Sequence, residues 1–242
     1  MTSADQLDTG TGASMPLTAH LAELRDRLLW CLVAVGLGTV LGFALYNPIF
    51  NVLTAPIPST VPVIITTVGG AFSVQLQVAL VFGVILGMPV ILWHLWRFIA
   101  PGLTPSERRS VLPWIPAALV FFAMGVGVAY VVLPFAAQFL LSFVPDRADS
   151  LIELSSYMDF MTTLFLGFGL LMEFPILLIG LSRVGIVTSE RLTRSRRMVI
   201  LVIAIFAAIA TPGGDLVSPF VLGVTLYLLF EGTVLFIRRT GR

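Results

Sequence analysis

The sequence contains no lysine and only one cysteine. All fourteen of its basic residues are arginines. Without lysine, the chain has neither the lysine of a P-loop nucleotide site nor an amine that could form a Schiff base. The single Cys31 lies inside an apolar run, so a disulfide framework and a thiolate metal site are excluded as well.

Charge of either sign is also scarce. Charged residues make up 11% of the 242 residues and hydrophobic residues 57%, whereas ordinary soluble proteins are about 25% charged. No charged residue occurs between positions 28 and 96. The composition and the long uncharged runs predict an all-α integral membrane protein.

Six hydrophobic runs follow a polar N-terminal stretch. We predict a disordered cytosolic tail over residues 1–15, a single six-helix membrane domain over 16–239 and a second cytosolic tail over 240–242. The fifth run has 13 apolar residues, which cover only about 20 Å of a hydrocarbon core of about 30 Å, so the last two spans are predicted to be short. The predicted spans are about 28–46, 72–95, 111–133, 156–181, 198–210 and 216–237.

The positions of the arginines predict the orientation of the chain. With six spans, thirteen of the fourteen arginines fall on one side of the membrane, and only Arg147 falls on the other. Because cytoplasmic loops are enriched in basic residues, both termini are predicted to be cytoplasmic.

Glycine and proline indicate where helices pack closely, bend or end. Gly38 and Gly42 form a GxxxG pair, which permits close helix contact. Pro89 predicts a bend near the end of the second span, and Pro134 marks the exit of the third. The four prolines of the loop 47–70 predict short pieces and turns.

A carboxylate, Glu173, lies deep in the fourth hydrophobic run. It is roughly 12 Å from the end of that run at Leu181, and a charge at such a depth costs about 2.5 to 3.5 kcal/mol on insertion scales. Either it is a neutral Glu hydrogen-bonded between packed helices, or it is a polar point in a substrate or partner path. Pro175 predicts a kink beside it. Glu231 in the sixth span raises the same question.

Two more acidic residues lie on the side predicted to be cytosolic. Leucines recur at helical spacing in segment 16–27, which predicts a helix along the membrane interface. Glu23 projects away from these leucines, and either makes an exposed pair with Arg27 or accepts a basic ligand. Glu107 either stabilises the first turn of a helix through the helix dipole or belongs to the same ligand site.

An aromatic residue, Phe98, accompanies these acids, at the membrane edge. Such a ring is more often an anchor than a ligand contact. Two cytosolic carboxylates and one ring would nevertheless suit a peptide that carries arginine, because guanidinium binds carboxylate bidentately and stacks on rings.

No catalytic constellation is present in the sequence. The stretch 180–185 misses the nucleophile-elbow spacing by one residue. His20 and His94 have no cysteine or paired histidine at ligand spacing; for His94 an interfacial hydrogen bond is expected. We therefore predict no enzyme, no metal and no cofactor. Asp215, in the turn TPGGD, is expected either to cap a helix or to act on the outer face.

Six stretches resemble one known family, in order and at the expected spacing. They are HLAELRDRL, MPVILWHLWRFIAPGLTPSERR, GVAYVVLPFAAQFL, MEFPILL, GIVTSERLTRSRR and ATPGGDLVS, within residues 17–239. All are similar to TatC, the polytopic receptor subunit of the twin-arginine protein translocase.

The resemblance implies a fold and a function. The fold would be six spans arranged as a concave cup in a bacterial-type cytoplasmic (inner) membrane. The cup would receive folded cargo through signal peptides bearing paired arginines, with the proton-motive force as the energy source and without nucleic acid. Its last two spans would dock the single-span TatA and TatB proteins, and the subunit would self-associate in a larger complex surrounded by membrane lipid.

The resemblance also implies roles for single residues. Glu23, Glu107, Phe98 and Arg25 would form the patch that contacts the arginines of the signal peptide. Glu173 would lie in the cup. Three residues would matter to the outer face, namely Pro56, Tyr130 and Asp215. The chain departs from the family pattern at the start of the second span, where it has Gly70 and Gln77 in place of a common Glu and Lys, and at Pro219, where Gln is common.

Two other functions remain open from the residues alone. Six spans can be split into inverted halves, so an ion-coupled secondary transporter with Glu173 as a proton relay is the main alternative. A purely structural scaffold is the third possibility, and it would tolerate loss of both cytosolic carboxylates.

Overall fold

The fold is a bundle of long helices joined by short connecting elements. The computed structural model describes residues 17–57, 61–142, 151–210 and 217–240. Within these ranges the helices are α1 (Leu17–Ala44), α2 (Tyr46–Thr54), α3 (Gly70–Ile99), α4 (Pro105–Val111), α5 (Trp114–Leu141), α6 (Leu154–Arg183), α7 (Ser189–Arg194), α8 (Arg196–Ala210) and α9 (Val217–Arg239). A 3₁₀ turn, Ala100–Gly102, follows α3.

Four helical segments are long and apolar enough to cross a membrane. In the described part of the chain they are His20–Ala44, Gly70–Gly102, Pro105–Phe139 and Leu154–Arg183. The chain is therefore a multi-pass membrane protein. The helix α8 has 15 residues and is about 22 Å long, so it is shorter than the hydrocarbon core. The six-span arrangement stays a prediction.

Two helices, α1 and α5, differ in extent from the predicted pattern. The predicted interfacial segment and the first span form one continuous helix, α1. The helix α5 continues through Pro134 to Leu141, beyond the predicted exit. Pro89 and Pro175 lie inside α3 and α6 without ending them. Proline is tolerated in membrane helices because neighbouring helices and local adjustments satisfy the freed backbone groups.

The described parts of the loop 47–70 form short pieces, as its prolines predict. The loop begins with most of α2 and then forms a two-residue strand, β1 (Val63–Ile64). This strand pairs in parallel with β2 (Ile152–Glu153), so the connection before α6 is tied to the connection before α3. The architecture is thus helical apart from this short sheet.

The helices pack through small residues and a shared apolar core. Gly38 and Gly42 of α1 lie directly against Gly83 and Ala79 of α3. The main core lies where α3, α5, α6, α8 and α9 meet, and the phenolic oxygen of Tyr157 in α6 donates a 3.0 Å hydrogen bond to the carbonyl of Leu53 in α2. A second core joins α6, α7 and α9; its buried residues are Leu178, Ile179, Leu192, Phe230, Val234 and Ile237.

Candidate functional site: the junction of α1 and α3

Two of the predicted site residues, Glu23 and Phe98, are linked through His20 where α1 begins and α3 ends. The imidazole of His20 stacks on the ring of Phe98, with 4.4 Å between ring centroids and 18° between planes. Nδ1 of His20 is also 3.9 Å from Oε2 of Glu23. His20 therefore links the carboxylate of α1 to the aromatic ring of α3. We call Glu23, Arg27, His20 and Phe98 the junction cluster.

Glu23 is already paired within the cluster. Nη2 of Arg27 donates to Oε1 of Glu23, four residues earlier on the same helix. The side chains of Arg27 and Glu23 are only 14% and 23% exposed. The expectation of an exposed pair is therefore wrong, because α1 lies along α3 and this part of its surface is covered.

The pair is incomplete in its hydrogen bonds. Oε2 of Glu23 and Nε of Arg27 are both buried, and neither has a hydrogen-bond partner among the described residues. Buried polar groups are hydrogen-bonded in the large majority of cases. The cluster therefore has one buried acceptor and one buried donor without a hydrogen-bond partner among the described residues.

Arg25 does not join the cluster. Its Nη2 lies 2.8 Å from Oδ1 of its neighbour Asp26, and the two side chains are 72% and 61% exposed. An exposed pair of this kind contributes about 0–1 kcal/mol. Arg25 is thus free to turn towards another carboxylate at little cost.

Glu107 holds the start of the short helix α4. Its Oε2 accepts hydrogen bonds from the backbone N–H and the hydroxyl of Thr104, each at 2.8 Å, and Thr104 accepts in turn from the Glu107 N–H. This is a capping box. Both bonds end on Oε2, so Oε1 has no hydrogen-bond partner within the described residues. Capping of α4 therefore occupies only one of the two carboxylate oxygens of Glu107.

The helix α4 is tied to α3 by a cation–π contact. The guanidinium carbon of Arg108 lies 5.3 Å from the ring centroid of Trp96, which itself stacks with Trp93 at 5.4 Å. Trp96 Nε1 is buried without a hydrogen-bond partner in the described chain. Sequence reasoning missed Trp96 and Arg108, although the aromatic-rich stretch WHLWRF immediately before the polar link was a usable signal.

His94 lies one turn deeper than Phe98. Its ring stacks with that of Trp30, with 6.5 Å between centroids. The hydrogen bond expected at this position does not involve Nδ1, which is buried and has no partner among the described residues. Among those residues, no group of three or more His, Cys, Asp or Glu side chains could hold a metal ion.

The two acids predicted to lie within the membrane have different surroundings. Oε1 of Glu173 is buried and lacks a hydrogen-bond partner in the described ranges. Glu231, in contrast, accepts from Arg196 Nη2 at 2.8 Å and from the Tyr227 hydroxyl at 2.9 Å. Glu231 therefore joins α9 to the first residue of α8, whereas Glu173 retains an unused acceptor.

The predicted outer-face residues are not brought together into one group. Pro56 is half-buried just after α2, and Tyr130 is 44% exposed on α5. Asp215 lies outside the described residues. At the opposite end of α3 from the junction cluster, Gln77 Nε2 instead donates to Asp159 Oδ1 at 2.8 Å and to Thr162 Oγ1 at 3.0 Å, which joins α3 to α6.

Two hydrogen bonds to the carboxylate of Glu153 lie beside the short sheet at that end. The Thr66 hydroxyl donates to Oε1 of Glu153 at 2.8 Å, and the Ser156 hydroxyl donates to Oε2. The bonds from Ser156 and then Thr66 lower the pKa of Glu153 below its ordinary value of 4.5, since they favour the charged form.

Comparison with known proteins decides the family. The sequence model described as Sec-independent protein translocase protein (TatC) matches residues 19–224 of this chain. The chain belongs to the TatC family. The resemblance predicted from its motifs is thereby confirmed.

Relatives of the TatC family align over nearly the whole chain. The Sec-independent protein translocase protein TatC of Desulforapulum autotrophicum is 35% identical over 94% of this chain and 86% of its own length. The corresponding protein of Escherichia coli K12 is 34% identical over 93% of this chain and 89% of its own length. The chain is therefore a translocase component of a protein-transport system.

Solved structures of the family share the fold. A crystal structure of the twin arginine translocase receptor TatC superposes with a TM-score of 0.82 at 30% identity, and covers 92% of this chain and 100% of that one. A second structure of the same receptor, in the detergent DDM, gives a TM-score of 0.81. The helix arrangement around the junction cluster is thus that of the TatC fold.

Proposed function

We propose that this TatC family protein is the receptor for twin-arginine signal peptides, and that Glu23 and Phe98 of the junction cluster, together with Glu107, bind the paired arginines on the cytosolic face. The observation that carries the proposal is the half-buried carboxylate of Glu23, which is linked through His20 to the ring of Phe98 and retains an oxygen without a hydrogen-bond partner among the described residues, Oε2. Relatives at 30% identity are named twin arginine translocase receptors.

The chemistry of the cluster suits guanidinium better than ammonium. A guanidinium group binds a carboxylate through two parallel N–H groups and stacks on aromatic faces. Glu23 offers the carboxylate and Phe98 the face, while Glu107 offers a second carboxylate whose Oε1 is not used by the cap. Arg25 is exposed on α1 and contributes to the same patch by setting its local charge.

The rest of the proposed mechanism concerns assembly and energy. Both termini are cytoplasmic, α8 and α9 form the fifth and sixth spans of an inner-membrane protein, and the exposed apolar side chains of α8 favour docking of TatA and TatB there. Glu173 and Glu231 act as intramembrane polar positions, and Pro56, Tyr130 and Asp215 act on the outer face. The proton-motive force drives export of the folded cargo by the self-associated complex.

The transporter alternative has less support. A proton relay needs a second ionisable group next to Glu173, but its buried Oε1 has no hydrogen-bond partner in the described parts of the chain. Proton-coupled uptake of a small solute by vesicles that contain only this protein would favour the transporter.

Peptide binding to single-acid variants tests the receptor. In lipid nanodiscs, Glu23→Gln and Glu107→Gln are each expected to weaken binding of a twin-arginine peptide about tenfold or more, because a hydrogen bond to a charged group contributes about 1.5–3 kcal/mol. Glutamine at position 107 preserves the capping box, since either Glu or Gln serves there. The test therefore separates ligand binding from helix stability.

A matched acid elsewhere is the control. Glu190 on α7 is exposed, and Glu190→Gln removes the same charge from the side that we propose to be cytosolic. Its affinity should equal that of the wild type. Unchanged affinity in the Glu23→Gln/Glu107→Gln double variant would exclude the proposed site.

A further inference from the structure

We propose that Arg27 and His20 occupy, in the unliganded receptor, the two places that the paired arginines of a signal peptide take when they bind. The inference rests on the proposed function, because it concerns the same carboxylate and the same ring. It adds that the site is filled by side chains of the protein itself, so that peptide binding is an exchange of partners.

Arg27 takes the place of a guanidinium on Glu23. Its Nη2 donates to Oε1 of a carboxylate that is only 23% exposed. A carboxylate that is covered to this extent needs a counter-charge, and Arg27 supplies one. A forked contact from a peptide arginine would use both carboxylate oxygens. Because Arg27 holds Oε1, the peptide arginine and Arg27 compete.

His20 takes the place of a flat cationic group on Phe98. The two rings are stacked, with 4.4 Å between centroids and 18° between planes. A guanidinium stacks on an aromatic face in a similar way. His20 therefore covers the face that a second arginine would use, and its Nδ1 at 3.9 Å from Oε2 of Glu23 places it beside the first position.

The internal arrangement is incomplete, which makes an exchange favourable. Oε2 of Glu23 and Nε of Arg27 are buried and lack hydrogen-bond partners in the described chain. A partly satisfied buried network is weaker than one in which every group is bonded. A peptide guanidinium that donates to both oxygens of Glu23 completes the acceptor, and Arg27 regains hydrogen bonds with water when it leaves.

The test measures peptide affinity after removal of the internal groups. For the full-length protein in nanodiscs, Arg27→Ala is expected to tighten binding of a fluorescent twin-arginine peptide by about three- to tenfold, because the charge that competes for Glu23 is removed. His20→Ala is expected to act in the same direction. Because a competitor weakens every ligand of one site by the same factor, a paired-lysine peptide should gain equally from Arg27→Ala.

Two controls separate exchange from general effects. Arg194→Ala removes the same charge from an exposed position on α7, and it should leave peptide affinity unchanged. Arg27→Lys keeps the charge but replaces the guanidinium that donates to Oε1 of Glu23, so it should give a smaller gain in affinity. This variant also serves as the test if Arg27→Ala does not fold. Weaker binding in both Arg27 variants would overturn the inference, because Arg27 would then support the site.

The Glu23 background distinguishes this inference from the proposed function. In a Glu23→Gln protein, Arg27→Ala should bring much less gain, since the carboxylate for which the two arginines compete is absent. If Glu23→Gln leaves binding unchanged, the proposed function itself is wrong. If Glu23→Gln weakens binding but Arg27→Ala does not tighten it, the receptor site stands and the exchange does not.

Discussion

Gly38 of α1 faces Gly83 of α3 so closely that a β-carbon added to Gly38 would lie 2.9 Å from both the Cα and the carbonyl oxygen of Gly83. Both atoms belong to the backbone, so no side chain can move aside. Such a close approach suits membrane helices, which associate largely by van der Waals packing of small residues. It holds α1 against the helix that carries Phe98.

Enlarging Gly38 should therefore destabilise the bundle. We expect Gly38→Ala to lower the free energy of unfolding by about 1–3 kcal/mol, the usual cost of overpacking. Thermal or SDS-induced unfolding in detergent micelles measures it. Gly36 lies two residues earlier on α1 and has nothing within 4 Å of an added β-carbon, so Gly36→Ala should have no such effect. Equal stability of both variants would contradict the close contact.

A second prediction concerns the polar bond between α3 and α6. Gln77 Nε2 donates to Asp159 Oδ1 at 2.8 Å. A double-mutant cycle of Gln77→Ala and Asp159→Ala should give a coupling energy of about 0.5–1.5 kcal/mol in the same unfolding assay. Gln75→Ala, two residues away on α3, is the control and should show no coupling to Asp159. Additive losses from the Gln77 and Asp159 variants would mean that the bond contributes nothing.

The sheet end of the bundle should lose stability in acid. Hydrogen bonds from Ser156 and Thr66 hold the pKa of Glu153 below its ordinary value of 4.5. A lowered folded-state pKa gives stability that is fully present above the unfolded value and is lost as the pH falls through the folded one. Unfolding followed from pH 7 downwards should thus show Glu153→Gln less stable than the wild type at neutral pH. The difference should shrink below about pH 4.5; a pH-independent difference would refute this.

The long helices could be predicted because hydrophobic length alone determines them. The span predicted at 72–95 lies within α3, and the span predicted at 156–181 lies within α6. A run of apolar residues in lipid has one low-energy form, the helix, so local composition suffices. The sequence did not predict that the interfacial segment and the first span form one helix, α1. The spacing of the leucines indicates a helix, but not whether the chain changes direction after it.

The contacts between distant parts of the chain could not be predicted in the same way. The pairing of Val63 with Ile152 joins strands of two residues each, too short for any pattern to mark. The spacing of Glu23 and Arg27 predicted their pairing, but not their burial, which depends on how α1 lies on α3. The stacking of His20 on Phe98 has the same origin. The sequence therefore predicted Glu23 and Phe98 as candidates, whereas tertiary packing decides which internal partners these side chains contact.

Exchanging the two charges of the ion pair between α8 and α9 should restore stability that either single exchange loses. Arg196 and Glu231 are 2.8 Å apart, and their side chains are 41% and 30% exposed. Arg196→Glu and Glu231→Arg should each destabilise the protein, because each places like charges together. The double variant should recover about 0.2–1 kcal/mol, the range measured for exposed pairs. Arg197→Glu, at the exposed neighbouring position, should not be rescued by Glu231→Arg. Absence of recovery in the swapped pair would exclude direct pairing.

Replacing Glu173 by leucine should change the free energy of unfolding in the opposite direction to the same replacement of Glu231. Because its buried Oε1 has no hydrogen-bond partner in the described ranges, an apolar residue of similar size removes a polar group that is costly in lipid. Glu173→Leu is therefore expected to raise the free energy of unfolding, while Glu231→Leu lowers it by leaving Arg196 unpaired.

Export of a twin-arginine reporter, measured beside unfolding of the same Glu173→Leu variant, separates the two interpretations of Glu173. A more stable protein that no longer exports the reporter would mean that the carboxylate is retained for transport at the expense of stability. A less stable protein would mean that Glu173 is a hydrogen-bonded structural residue, and the proposal that it is a polar point of the translocation path would lose its basis.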